Sequence, residues 1–497
     1  MIIPSKRDFL EIIKNGKIPP LYKEIQYLHP HIIYESFASP NSFLLESIKG
    51  PMKIARYSFI GFDPYAIFKI KNGYIEIKLN GKLMRGKSKN ISIKPLAILK
   101  ELLTSYKQLP YEYLPPFQGG AVGFLSYDFV HYLEKLPKNS KDDLFLPDAH
   151  FFFIDKFVAF DHHEKKSWII VCPAARYLEE KIIDWSEKYN EAEHIINKIM
   201  SSIKSRHSLI KKRNQFLRIN SKIEIIHEMK KDEYMDIVKR AKEYIAAGDI
   251  FQANLSQRLS AYIGNINRWN VYQTLSSINP APFAAYIDFG DYQIVSSSPE
   301  RLLRVRDKII ETRPIAGTRP RGKDFKEDEM MRAELLLNEK ERAEHIMLVD
   351  LERNDLGRVS DYGTVKVDEF MITEDCSHVI HIVSNITGRI AERKDCFDAI
   401  KAAFPGGTIT GVPKIRCMEI IDELEPVRRG PYTGSIGYIS FSGNMDLNII
   451  IRTFVIKGEI AYVQAGAGIV ADSDPEREYY ETLKKAEALI RALEIVG

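Results

Sequence analysis

Cysteine is scarce: Cys172, Cys376, Cys396 and Cys417 are the only four in 497 residues. So few in so long a chain cannot build a disulfide framework, and no two form a CxxC pair. Long apolar runs are missing as well. None approaches the ~18 consecutive residues of a membrane span. The N-terminal MIIPSKRDFLEIIKNG carries Asp8 and Glu11 and lacks the apolar stretch of a secretory signal. These absences lead to the expectation of a reduced, cytoplasmic protein with no membrane partner. An excess of one charge is lacking too: 71 basic and 67 acidic side chains leave a net +4, with no global push toward nucleic acid. There is no internal repeat and no low-complexity tract. What remains is 45% hydrophobic and 28% charged, the balance of a soluble globular chain, and long enough for two to four domains.

The basic charge is unevenly placed. Residues 201–223 hold Lys204, Arg206, Lys211, Lys212, Arg213, Arg218 and Lys222 with no acid until Glu224. These seven exceed the net charge of the whole chain. Phe216 is the only aromatic among them, so the stretch reads as a solvated linker rather than a nucleic-acid surface. Before it lie short alternating strands with turn signals at Asp63-Pro64 and Asn72-Gly73. After it the pattern predicts helices at 232–247, 326–348 and 475–494. Strands are predicted at 283–289, 292–297, 301–305, 308–313, 378–387, 434–442, 447–456 and 460–465. Strands mixed with helices, without regular βαβ alternation, predict an α+β fold with two large, mainly antiparallel sheets packed together and helices outside.

Two acidic pairs stand out. Glu341 and Glu344 are three residues apart, as are Glu478 and Glu481, so each pair shares one helix face. Two such faces meeting would offer hard oxygen ligands for Mg²⁺; taken singly, each also reads as a solvated face. Asp474 and Pro475 mark the start of the second helix. FPGGTITGVPK (404–414) is a glycine-rich turn before a helix, suited to an anion or to a structural turn, and it lacks the Lys-Ser/Thr of a phosphate-binding Walker loop. GAGIVA (466–471) imitates a dinucleotide fingerprint, but no helix opens at once and too few residues follow for a βαβ unit. Its glycines instead let a small anion approach the backbone. Arg452, alone in the apolar LNIIIRTFVI, would need an anionic partner. His378 and His381 face opposite sides of a strand, where one of them serves proton transfer or both are core histidines.

In order along the chain, GGAVGFLSYD, SSSPERLL, RPIAGTRPRG, EKERAEHIMLVDLERNDLGRV, SHVIHIVSN, FPGGTITGVPKIR and QAGAGIVADS resemble the chorismate-utilising family. That family includes component I of anthranilate synthase and of 4-amino-4-deoxychorismate synthase. The resemblance implies an anthranilate synthase component I-like region at 1–200, a basic linker at 201–223 and a chorismate-binding catalytic region at 224–497. It implies Mg²⁺ held by Glu344 and Glu481, with Glu341 and Glu478 acting through water or on the substrate. Chorismate would meet Gly466, Ala467, Gly468, Arg452 and Tyr432, with Gly317 and Thr318 nearby. His381 and Thr408 would flank the ring, and Lys485 would lie one turn beyond Glu481.

FPGGTITG, YTGSIGY and NPAPFAAY are closer to the aminodeoxychorismate type, whereas the N-terminal FLLESIKG and RYSFIGFDP are closer to the anthranilate type. Alanine at 316, where many aminodeoxychorismate synthases carry a nucleophilic lysine, argues against a covalent enzyme–ring intermediate. No cysteine has the G-x-C-x-G setting of a glutaminase nucleophile, so ammonia is expected from a separate glutamine amidotransferase subunit. Glu46 and Ser47, with Pro282, Phe283 and Ala284, resemble a tryptophan effector site. Ala284 stands where methionine is expected, which predicts weak or no tryptophan inhibition.

Overall fold

Runs such as AHFFFI at Ala149–Ile154 and GAVGFL at Gly120–Leu125 are buried at every position, as strands covered on both faces must be. Toward the sheet edge, AIFKIK at Ala66–Lys71 alternates buried with half-buried residues. The computed structural model describes residues 1–47, 49–87, 94–177, 182–210, 223–375 and 379–497. They form two twelve-stranded sheets, and every pairing between named strands is antiparallel. An aromatic core that includes Phe43, Phe59, Phe117, Phe124, Phe152 and Trp168 joins the inner faces. Helices Lys231–Ala246, Arg268–Ile278 and Pro475–Val496 cover the first sheet; Phe325–Leu337 and Glu339–Gly357 cover the second.

Strands from before and after residue 200 are interleaved in both sheets. Ser42–Glu46 pairs with Phe283–Asp288, and Gly120–Leu125 pairs with Ser435–Ser440. The two halves of the chain therefore share one pair of sheets. Helix Trp185–Ile210 runs ten residues into the stretch expected as a linker, and 211–222 lie outside the described residues, as do Cys376 and His378.

Two expected elements are each divided in two. The helix expected over 326–348 breaks at Asn338, which is extended (φ −69°, ψ 110°) and whose side chain accepts from Glu341 N at 3.0 Å. A side-chain cap of this kind starts a new helix, and it puts Glu341 and Glu344 in the first turns, where the helix dipole favours carboxylates. The strand expected over 447–456 is Met445–Asn448 in the second sheet and Thr453–Lys457 in the first. Between them the chain crosses from sheet to sheet, with Arg452 in the left-handed region (φ 53°). The crossing is buried at both ends, so its apolar pattern reads as one strand.

Candidate active site

The capped helix Glu339–Gly357 and the C-terminal helix Pro475–Val496 bring the two acidic pairs together. Asp474 caps the latter, accepting from Arg477 N at 2.9 Å, as its sequence signals predict. Burial raises the Glu344 carboxyl, and the charges of Glu341, Glu478 and Glu481 add to the rise, which places all four in one neighbourhood. Glu478 is raised by burial and by Glu481. Three cations temper the repulsion: Lys340 lies 3.9 Å from Glu344, Arg319 3.1 Å from Glu341 and Lys485 2.7 Å from Glu481. Half-buried to exposed, mutually repelling carboxylates with only hard oxygen donors fit Mg²⁺, which takes one or two carboxylates plus water and an anionic substrate.

Lys485 is the hub of the site. Its ammonium donates to Gly466 O at 3.0 Å, and its charge acts on Glu300, Glu478 and His381. Opposite it, the pairing of Ile315–Pro320 with Val379–Arg389 carries a bulge between Ala316 and Thr318. Gly317 sits there with φ 63°, and a Cβ would meet Glu341 Oε2 and Leu335 Cδ1 at 3.0 Å, so glycine is favoured. The bulge brings Gly317 O and Thr318 Oγ1 to 3.1 Å from His381 Nδ1. Burial pushes the imidazole down to about 4, with Arg452 and Lys485 adding to the effect. Since a carbonyl only accepts, Nδ1 carries the proton and Nε2 of the neutral ring is an acceptor.

Gly466 and Gly468 stand on strand Ile460–Ile469 opposite Ser256 and Asn254. A Cβ at Gly466 would come within 2.6 Å of Asn254 Oδ1 and 2.8 Å of the Tyr432 hydroxyl. Asn254 Oδ1 and Gln252 Oε1 are buried acceptors with no hydrogen-bond partner, so a ligand that donates would satisfy them. Ala467 points the other way, its methyl in the core, and contributes backbone alone. Tyr432 is buried, its hydroxyl raised by burial and flanked by the charges of Arg429, Glu425 and Arg452.

Thr408, in the turn Gly407–Ile409, donates to Glu300 Oε1 at 2.9 Å. Glu300 is 6% exposed, and burial raises its carboxyl to about 7, with the Glu352 charge adding. Glu352, raised by burial and by Asp355, accepts from Gly407 N at 3.2 Å and ties this turn to the helix that carries Glu341 and Glu344. Glu300, Gln252 and Asn254 were not singled out from the sequence. Glu300 lies inside SSSPERLL, and an acid between proline and a strand carries no spacing signal of its own.

The expected effector residues line a separate cavity of about 330 Å³ between the sheets, walled by Leu45, Ser47, Pro282, Phe283, Ala284 and Tyr438 among others. Glu46 borders it, but the Glu46 carboxylate faces the helix layer, where it accepts from Tyr272 OH at 2.7 Å and Ser276 Oγ at 3.1 Å. Strand alternation is the reason: Leu45 and Glu46 point to opposite faces.

A family model described as chorismate binding enzyme matches residues 41–491. Anthranilate synthase component 1 of Acetivibrio thermocellus is 44% identical over 504 residues, 100% of this chain and 99% of the relative. Aminodeoxychorismate synthase component 1 of Bacillus subtilis (strain 168) is also 44% identical, over 452 residues and 91% of each chain. Among solved structures, anthranilate synthase component I from Streptococcus pneumoniae TIGR4 superposes with a TM-score of 0.75 at 35% identity, covering 94% of this chain and 99% of that one. With the family model spanning most of its length, and near relatives covering it end to end, this chain belongs to the chorismate binding enzymes of the anthranilate and aminodeoxychorismate synthase component I type.

Proposed function

We propose that the chain aminates chorismate to 4-amino-4-deoxychorismate, using ammonia from a glutamine amidotransferase subunit in the cytoplasm. The observation that carries this reading is the set of groups around Lys485. Glu300, with a carboxyl near 7, is a proton donor at neutral pH, and Thr408 orients it. Gln252 Oε1 and Asn254 Oδ1 are neutral acceptors suited to the N–H bonds of ammonia.

The reaction balances on these residues. The ring C–O bond to the hydroxyl breaks, the oxygen takes the Glu300 proton and leaves as water, and ammonia forms the C–N bond. Glu300 then recovers the surplus ammonium proton. Ala316 offers no amine, so ammonia meets the ring with no covalent enzyme–ring intermediate formed at that position. Arg452 and the backbone at Gly466–Gly468 orient substrate carboxylate. Glu344 and Glu481 would hold Mg²⁺, with Glu341 and Glu478 beside them; when bound, the ion neutralises carboxylate and assists hydroxyl loss as a Lewis acid.

Supply of ammonia by a partner is supported by the cysteines. Burial raises the Cys172 thiol, and raises those of Cys396 and Cys417 to about 12, which leaves these three inert as nucleophiles. Among the described residues no helix is long and apolar enough to cross a membrane.

The FPGGTITG and YTGSIGY segments, which supply Thr408 and Tyr432, favour the para-aminated product. The anthranilate reading is favoured by the relative of that name that matches end to end. Incubation with chorismate, Mg²⁺ and ammonium separates the two. A product that an added lyase converts to 4-aminobenzoate is expected; anthranilate fluorescence with stoichiometric pyruvate and no lyase overturns the proposal.

A further inference from the structure

On the outer face of the first sheet, away from the active site, three potential metal ligands converge. Each of His29, His31 and Glu46 offers one ligand atom, and these atoms lie within 4.8 Å of one another. His31 Nε2 is 3.0 Å from Glu46 Oε2, a separation that two ligands of one cation also adopt. The His29 and His31 rings stand 4.7 Å apart, nearly perpendicular. Glu46 is 3% exposed, and its second oxygen, Oε1, is buried with no hydrogen-bond partner. A carboxylate oxygen left bare in the interior is costly, and a cation would satisfy it.

The surroundings favour ligation. Tyr272 and Ser276 both donate to Glu46 Oε2 and fix the carboxylate from helix Arg268–Ile278, the kind of outer support that orients metal ligands. Trp269 and Tyr272 wall the His31 ring at 5.2 and 5.7 Å. His162 is nearby but engaged, with Tyr27 at 2.7 Å and Ser58 at 2.6 Å, and is not part of the set. His29 is exposed, which provides an entry path.

We propose that His29, His31 and Glu46 bind a borderline divalent cation of the Zn²⁺ class. Two imidazoles and one carboxylate suit zinc and its late first-row neighbours, whereas the four glutamates of the active site offer oxygen alone. The cation would cross-link the segment leading into helix Pro30–Tyr34 with strand Ser42–Glu46, and water would complete its coordination.

The test uses the untagged full-length chain with saturating Mg²⁺ and titrates Zn²⁺ by calorimetry. One equivalent is expected, lost in His29→Ala and in His31→Ala and retained in Glu344→Gln. Co²⁺ should give a visible ligand-field band that both histidine variants lose. No stoichiometric Zn²⁺ binding overturns the proposal, as does binding that survives both histidine substitutions or disappears in Glu344→Gln. His29 is at the surface, so His29→Ala stays informative if His31→Ala fails to fold.

Discussion

Glu344 is a half-buried carboxylate and Glu46 a buried one, and their surroundings push them in opposite directions. Around Glu344, burial and three neighbouring glutamates raise the carboxyl. Around Glu46, burial would also raise it, but hydrogen bonds from His31 and Tyr272 outweigh that and hold it low. The first site is an unbalanced negative charge that invites a hard cation and an anionic substrate. The second is a donor-stabilised carboxylate that braces helix against sheet. Burial alone does not say what a carboxylate does; the donors around it decide.

Substitutions at the catalytic region should produce the larger effects. Glu300→Gln should lower ammonia-dependent chorismate turnover by about 10²–10⁴-fold, as expected for loss of a general acid. With a carboxyl near 7, the wild-type rate should hold below that pH and fall above it, as the donor loses its proton. A variant that keeps both the wild-type rate and this limb would remove Glu300 from the mechanism.

Glu344→Gln or Glu481→Gln should cost at least ~100-fold at limiting Mg²⁺ with the fold intact by circular dichroism, since an amide cannot replace a ligating carboxylate. Full activity would make the glutamate cluster merely a surface of like charge. Arg452→Lys should raise the Michaelis constant for chorismate about tenfold, because a point charge cannot reproduce the bidentate grip. An unchanged constant would take Arg452 out of the substrate contacts.

At the other region the readout is stability. His31→Ala leaves Glu46 with fewer donors and should cost ~1–3 kcal/mol in denaturant unfolding. Because the folded Glu46 carboxyl is held low, its contribution is present above its unfolded value and lost as pH falls through the folded one. The His31→Ala deficit should therefore shrink in acid; a deficit independent of pH would point to lost packing against Trp269. The smallest effect is expected from tryptophan. With Ala284 in the wall of the inter-sheet cavity, micromolar tryptophan should leave the rate unchanged, and inhibition at that concentration would favour the anthranilate reading.

Much of the candidate site could be expected from the sequence because its signals are local. Glu-x-x-Glu on a capped helix, paired glycines in a strand and a lone arginine among apolar residues each follow from chemistry within a few positions. The α+β class with large antiparallel sheets was legible for the same reason, since alternation and turn residues act over short range. What stayed hidden depends on partners far along the chain. The Glu300 carboxyl is raised only because folding buries it, with the Glu352 charge adding and the Thr408 hydrogen bond opposing, and Gln252 and Asn254 become orphan acceptors only beside Gly466 and Gly468.

By itself, then, the sequence determined which residues could carry charge, cap a helix or approach an anion, because backbone preference and side-chain chemistry are properties of neighbours. Tertiary structure alone decided which of them meet. It broke one expected helix at Asn338 and one expected strand before Arg452, set the N-terminal strands among the C-terminal ones, and turned the Glu46 carboxylate toward His31 and away from the cavity. The physical reason is that burial and pairing energies arise between segments hundreds of residues apart, and no local pattern encodes them.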